Sequence, residues 1–177
     1  GHVEAIKEEL KVITEEATEV IEEPDPEEPS IDSSDPTTNA YYTNYTRVLS
    51  ELKKQNQDVV GWIKVENTNI DYPVLQTDDN LYYLNHSFDG KKSLYGWIFA
   101  DYRNQFDALS QNTIIYGHNV RGTNLLFGSL KNVLEPSWYQ NEQNQILSFH
   151  TENGTYRGEI FSIYTIKDIL TGRCHFH

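Results

Sequence analysis

Apolar residues near the amino terminus recur at helical spacing. They follow one another at steps of three and four residues within a segment rich in Glu and Lys: Val3, Ile6, Leu10, Ile13, Ala17 and Val20. This pattern predicts an amphipathic helix with a narrow, heptad-like apolar stripe. The short stripe and its alanine favour a solvated stalk, whereas the alternative interpretation is a helix that docks or self-associates.

Residues 22–39, EEPDPEEPSIDSSDPTTN, interrupt this pattern. Proline, aspartate and serine are frequent there, and proline removes a backbone donor and stops a helix. We therefore expect residues 1–38 to form an acidic N-terminal helix and Pro-rich linker. Residues 39–168 are expected to form a folded domain, and residues 169–177 an atypical C-terminal tail.

After Tyr42 the chain alternates apolar and polar residues as short strands do. A short amphipathic helix is predicted over 46–57, and further short helices over 80–88 and 125–134. Strands are predicted over 58–76 (two strands around Asn67-Thr68-Asn69), 94–101, 112–119 and 145–166, the last a hairpin turned at Asn153-Gly154. Six or more strands with few helices predict a mostly β fold of the barrel type.

Charge is distributed unevenly along the 177 residues. The chain has 27 acidic and 14 basic side chains; the first 38 residues hold 13 and 2 of them, which leaves 14 and 12 for the rest. The acidity therefore belongs to the N-terminal segment, and no basic stripe is present to neutralise a phosphate backbone. We expect no nucleic-acid partner.

The chain has one cysteine, Cys174, which excludes an internal disulfide framework and a zinc-ribbon site. A lone thiol is either an inert packed residue or a nucleophile, and the first is the more common case. Cys174, His175 and His177 could also hold a transition metal, but their spacing matches no closed structural site. We expect no cofactor and no metal.

His118 stands in the stretch IIYGHNV, where a β-type apolar run ends at Gly117. A histidine at a strand end is more often a hydrogen-bonded structural residue than a catalytic one. Acid–base chemistry is the alternative. His86 and His150 offer no stronger local pattern.

Three segments taken together resemble the sortases, and among them the class B sortases: VVGWIKVENTNIDYPVLQTDDNLYYLNHSFDG, SLYGWIFADYRN and NTIIYGHNVRGTNLLFGSLKNVL. The resemblance runs from Asp58 to Asp168. Several separated motifs agree in order, and the catalytic histidine of the family falls on His118. The resemblance implies a sortase-like closed or partly open β-barrel with an N-terminal helix and short peripheral helices.

The resemblance also implies an activity and a location. Sortases are cysteine transpeptidases that cleave a C-terminal sorting signal of a secreted surface protein, typically after a threonine, and join the new carboxyl end to an amine. For class B this amine usually belongs to cell-wall peptide. We expect the protein on the outer face of the membrane of a Gram-positive-type bacterium, held by an N-terminal anchor upstream of Gly1.

The chemistry needs a thiolate, an imidazole and an oxyanion donor. In sortases the cysteine follows a long segment after the histidine strand, and an arginine lies on a further strand. Here only nine residues, ILTGRCHFH, follow Asp168. Arg173 precedes Cys174, and adjacent strand residues point to opposite faces; Arg121, on the loop after His118, is the other candidate cation.

Two interpretations of the C-terminal tail compete. In one, the last strands of the barrel are missing and Cys174 is incidental, which would leave open sheet edges that a second copy or a swapped strand could cover. In the other, Cys174 pairs with His118 as the nucleophile. The main functional alternative to an enzyme is a non-catalytic sortase-like domain that binds a peptide or a partner.

Overall fold

The computed structural model describes residues 1–19, 36–108, 110–120, 122–167 and 174–176. Three α-helices and eight strands are present in this part of the chain. The helices are α1 (His2–Glu19), α2 (Pro36–Gln55) and α3 (Pro136–Tyr139). The strands are β1 (Val59–Val65), β2 (Asp71–Leu75), β3 (Phe99–Ala100), β4 (Ile115–Tyr116), β5 (Ile146–Thr151), β6 (Gly154–Glu159), β7 (Thr165–Lys167) and β8 (Cys174–Phe176). Short 3₁₀ helices lie at Tyr82–Leu84, Phe127–Leu134 and Glu142–Gln145.

Six strands form one sheet in the order β4-β3-β2-β1-β5-β6, and β7 and β8 form a separate antiparallel pair. All neighbours in the large sheet are antiparallel except β2 and β3, which are parallel at Leu75 and Phe99. The predicted mostly β fold, with an N-terminal helix and short peripheral helices, is confirmed. In the described part of the chain the sheet is open, with β4 and β6 at its edges.

Local turn chemistry forms the two hairpins of this sheet. Between β1 and β2, the Thr68 hydroxyl donates to the Val65 carbonyl at 2.8 Å and accepts the Ile70 N–H at 3.0 Å. Asn67 takes a positive φ of 54°, which asparagine tolerates better than most residues. Between β5 and β6, Thr151 pairs with Gly154. Both predicted hairpins are present, but the second turns at Glu152 and Asn153, one residue earlier than predicted, because Gly154 already belongs to β6.

The strand predicted over 94–101 is shorter in the structure, because β3 starts only at Phe99. Gly96 has a φ of 55°, which breaks the extended conformation. A Cβ at this position would also collide with the Tyr83 carbonyl oxygen. Gly96 therefore lies directly against the 3₁₀ helix Tyr82–Leu84, and β3 begins after this contact.

Helix α1 packs on the core. Val3, Ile6 and Leu10 are each at most 5% exposed and belong to the same cluster as the α2 residues Val48 and Leu49. The structure thus follows the docking interpretation of the apolar stripe, because its first half covers α2 rather than facing solvent. No described helix has the length and apolar content needed to cross a membrane.

Helix α2 starts at Pro36, ten residues before the predicted helix over 46–57 and inside the predicted linker over 22–39. Proline is favoured in the first helical turn, where its missing N–H has no intrahelical partner. The proline that the sequence pattern reads as a break is therefore a helix start. The rest of that linker, residues 20–35, lies outside the described residues.

Candidate active site

His118 follows strand β4 directly after Gly117. Strand β4 is an edge strand that pairs antiparallel with β3, Phe99 lying opposite Tyr116. The chain after His118 folds back on itself, and Asn119 forms an antiparallel bridge with Leu126. The Phe127 N–H donates to the His118 carbonyl at 3.1 Å. The backbone of His118 is thus fixed on both sides.

Gly117 is required by a close contact. A Cβ built at this position would lie 2.7 Å from Cδ2 of Phe127 and within about 3 Å of two other ring atoms. The aromatic ring therefore packs directly on the glycine backbone. Phe127 begins the 3₁₀ helix Phe127–Leu134, and it secures the loop on which His118 stands.

The His118 imidazole is half-buried, and this burial lowers its pKa below the ordinary value of 6.5. The side chain is therefore mainly neutral near pH 7. None of the described residues forms a hydrogen bond with the imidazole in the structure. A neutral, partly accessible imidazole is the form that accepts a proton in acid–base catalysis.

A buried carboxylate lies beside β4. Asp101, 1% exposed, accepts hydrogen bonds from the Tyr116 hydroxyl at 2.8 Å, the Asn80 amide at 2.9 Å and Arg103 Nε at 2.8 Å. The hydrogen bond from Arg103 is the main reason that the pKa of Asp101 lies well below its usual range. These contacts join Asn80, the end of β3 and strand β4, whose Tyr116 lies two residues before His118 in the sequence.

The other two candidate histidines have structural surroundings. His150 is fully buried, stacks on Tyr45 with ring centroids 3.5 Å apart, and shares a 2.7 Å hydrogen bond with the Thr155 hydroxyl. His86 stacks on Tyr82 and lies 2.8 Å from its carbonyl oxygen. His118 is thus the one of these three histidines that the described contacts leave available for chemistry.

Comparison with known proteins identifies the family to which this architecture belongs. No protein-family model matches the chain. A sortase B from Staphylococcus aureus is 44% identical over 122 residues, which are 68% of this chain and 49% of that protein. A sortase B structure from Bacillus anthracis in complex with AAEK1 superposes with a TM-score of 0.66 at 32% identity, covering 92% of this chain and 70% of that one. This chain belongs to the class B sortases.

Further relatives support the assignment to the class B sortases. A Listeria monocytogenes sortase B is 40% identical over 116 residues, covering 66% of this chain and 46% of that protein. A Staphylococcus aureus sortase B–substrate complex superposes with a TM-score of 0.64 at 39% identity, covering 70% of this chain and 56% of that one. The chain spans about half the length of the curated relatives it matches.

The proposed nucleophile of this sortase, Cys174, lies in β8, where it stands opposite Lys167 of β7. In the described part of the chain these two strands pair with each other and are separate from the sheet that carries His118. The backbone topology therefore does not bring the two residues into one sheet. The pairing of His118 with Cys174 stays a prediction.

The remaining sequence candidates lie outside the described residues. Arg121 and Arg173, the two candidate oxyanion donors, belong to this group, as does His177 of the tail. The sequence patterns did not reveal the Asp101 cluster. An aspartate and an arginine two residues apart at a predicted strand end were its only local signal, whereas Tyr116 and Asn80 are 15 and 21 residues away from Asp101.

Proposed function

We propose that this sortase is a cysteine transpeptidase that acts on the sorting signals of secreted surface proteins. The observation that carries the proposal is the position of His118. It follows an edge strand, its backbone is fixed by the Phe127 N–H, and its pKa is lowered by burial. These features suit a general base, and the relatives that share this architecture are sortases.

In the proposed reaction, neutral His118 takes the proton of the Cys174 thiol. The thiolate attacks the scissile carbonyl carbon, the C–N bond breaks, and the imidazolium gives its proton to the leaving amine. The acyl group is then a thioester on Cys174. An incoming amine attacks this thioester while His118 accepts its proton, which regenerates the thiol and forms the new peptide bond.

We also propose the partners and the location that this chemistry requires. The acyl donor is a sorting-signal peptide, and the acceptor is an amine of cell-wall peptide. The protein then works on the outer face of a bacterial membrane of the Gram-positive type. A sortase B–substrate complex among the structural relatives supports a peptide as the bound ligand.

The test is a transfer assay with sorting-signal peptides and a soluble amine acceptor. We expect the parent chain to form the amide product and Cys174→Ala to form none. His118→Ala is expected to lose activity about a hundredfold or more, because a positioned acid–base group contributes that much. His86→Ala is the matched control, since that histidine is half-buried like His118 but stacks on Tyr82, and it should keep its activity. Turnover by Cys174→Ala would overturn the proposal.

A second function is favoured because, among the described strands, the β7–β8 pair has no pairing with the sheet that precedes His118. On this reading the domain binds a sorting-signal peptide without turnover. The two functions are separated by combining peptide binding, measured by fluorescence anisotropy, with the transfer assay. Binding with no product in the parent chain supports the binding domain, and product formation excludes it.

A further inference from the structure

The turn that closes the His118 loop contains a leucine in a conformation that glycine usually occupies. The Gly128 N–H donates to the Leu125 carbonyl at 2.7 Å, which closes a four-residue β-turn. Leu126 is the first central residue of this turn, with φ 50° and ψ −122°. These are the angles of a type II′ turn, where glycine dominates because a side chain is strained. The surroundings must therefore hold Leu126 in place.

A hydrogen bond to a buried tyrosine hydroxyl holds the backbone of Leu126 in place. The backbone N–H of Leu126 donates to Tyr72 Oη at 3.1 Å, and both residues are fully buried. Strand β2 carries Tyr72, whose ring packs edge-on against Trp97 at 5.8 Å and lies 4.4 Å below Lys7 Nζ of α1. The hydroxyl thus has a fixed position, set by the sheet on one side and by α1 on the other.

The strained turn is connected directly to His118. Leu126 bridges Asn119, the residue after His118. The next residue, Phe127, donates its N–H to the His118 carbonyl at 3.1 Å. Its ring packs against the backbone of Gly117. A change in the backbone at Leu126 would therefore move the residues on both sides of His118. Strained backbone held by its surroundings is a common feature of functional sites.

We propose that Tyr72 is a positioning residue for His118, and that its hydroxyl acts by holding the strained turn at Leu126. The structural role of Tyr72 is independent of the proposed function. Only the claim that this positioning serves catalysis rests on the proposed function. Packing alone would be satisfied by phenylalanine. The hydroxyl is needed because the Leu126 N–H is buried, and a buried N–H without a partner is strongly disfavoured.

The test compares Tyr72→Phe with Tyr83→Phe. Tyr83 is an equally buried tyrosine whose hydroxyl donates to Asp58 at 2.7 Å and accepts from Asn56 at 2.9 Å. In Tyr72→Phe we expect exchange of the Phe127 amide hydrogen to be about three- to tenfold faster, the effect of losing one hydrogen bond. The NMR-measured pKa of His118 should move up towards its ordinary value, because a looser loop lets water reach the imidazole. Tyr83→Phe should change neither quantity.

A double-mutant cycle separates positioning from general destabilisation. Glycine takes the II′ conformation without strain but keeps the backbone N–H, so Leu126→Gly should make the turn depend less on the hydroxyl. In that background, adding Tyr72→Phe should shift the His118 pKa less than it does in the parent. Equal shifts in both backgrounds, no shift in either, or the same shift in Tyr83→Phe would overturn the proposal. These measurements need no peptide turnover, so they stand apart from a failure of the transfer assay.

Discussion

Burial determines the protonation state of two histidines with different surroundings. His118 is half-buried beside an edge strand, and its lowered pKa keeps it neutral but partly accessible. His150 is fully buried against Tyr45, and burial lowers its pKa to about 4. The first arrangement suits proton transfer, whereas the second makes folding depend on pH.

The pH dependence of folding should report His150. Its pKa is about 4 in the folded state and about 6.5 when unfolded, so only the unfolded chain binds a proton as the pH falls between these values. The stability due to neutral His150 is therefore lost over this window. We expect urea unfolding of the parent to lose about 2 to 3 kcal/mol more between pH 7 and pH 4.5 than His150→Gln does.

His86, which is half-buried and stacks on Tyr82, provides a matched histidine control. His86→Gln should lose as much free energy of unfolding as the parent between pH 7 and pH 4.5. If His150→Gln shows the same loss as the parent, the buried imidazole does not determine the acid sensitivity.

A methyl group at Gly117 should disturb the His118 loop. Gly117→Ala places a carbon 2.7 Å from the Phe127 ring, and such overpacking costs about 1 to 3 kcal/mol. We expect a loss of this size in thermal or urea unfolding. The loss should be smaller when Gly117→Ala is made in a Phe127→Leu background, where the ring no longer occupies the space. An equal loss in both backgrounds would contradict the close contact.

At the level of helices and strands, α1 contributes to the core. Leu10 is 3% exposed in the cluster that includes α2, whereas Val12, two residues later on the same helix, is 47% exposed. We expect Leu10→Ala to lower the free energy of unfolding by about 2 to 4 kcal/mol, the usual range for a buried leucine. Val12→Ala should change it by less than about 0.5 kcal/mol.

The comparison of these two α1 variants distinguishes a docked helix from a solvated stalk. A stalk would make both substitutions equally mild. Unfolding curves that do not separate Leu10→Ala from Val12→Ala would therefore contradict the packing of α1 on α2.

The elements that could be predicted from sequence are those formed by local chemistry. The turn at Asn67 and Thr68 and the β5–β6 hairpin follow from residues within a few positions of each other. The sequence pattern allowed α1 either to dock or to form a solvated stalk, and it could not decide between them, because docking depends on an α2 surface about forty residues away. The late start of the strand predicted over 94–101 depends in the same way on the contact of Gly96 with Tyr83.

In the candidate site too, the features that depend on neighbouring residues could be predicted, whereas those that depend on distant residues could not. His118 could be found from the sequence, because a β-type run, a glycine and a histidine are adjacent and resemble a sortase motif. The contacts around it come from distant positions: Tyr72 is 54 residues from Leu126 in the loop after His118, and Asn80 is 21 residues from Asp101, which bonds to Tyr116 of β4. Sequence patterns identify the candidate catalytic residue, whereas the packing around it requires the fold.

At the level of the whole molecule, the six-stranded sheet has open edges. Among the described strands, β4 and β6 each have a neighbour on one side. Unpaired edge strands are templates for pairing with another chain, so we expect self-association. Size-exclusion chromatography with light scattering should give a mass above that of one chain and rising with concentration. A stable monomer at all concentrations would contradict this expectation.

Intact-mass spectrometry after incubation with a sorting-signal peptide is the direct test of thiol-dependent acyl transfer by this chain. The chain has a single cysteine, so any thioester must lie on Cys174. We expect a mass increase equal to the acyl fragment in the parent chain, absent from Cys174→Ala and strongly reduced in His118→Ala. A folded parent chain that shows no mass increase, while it still binds the peptide, would contradict this expectation.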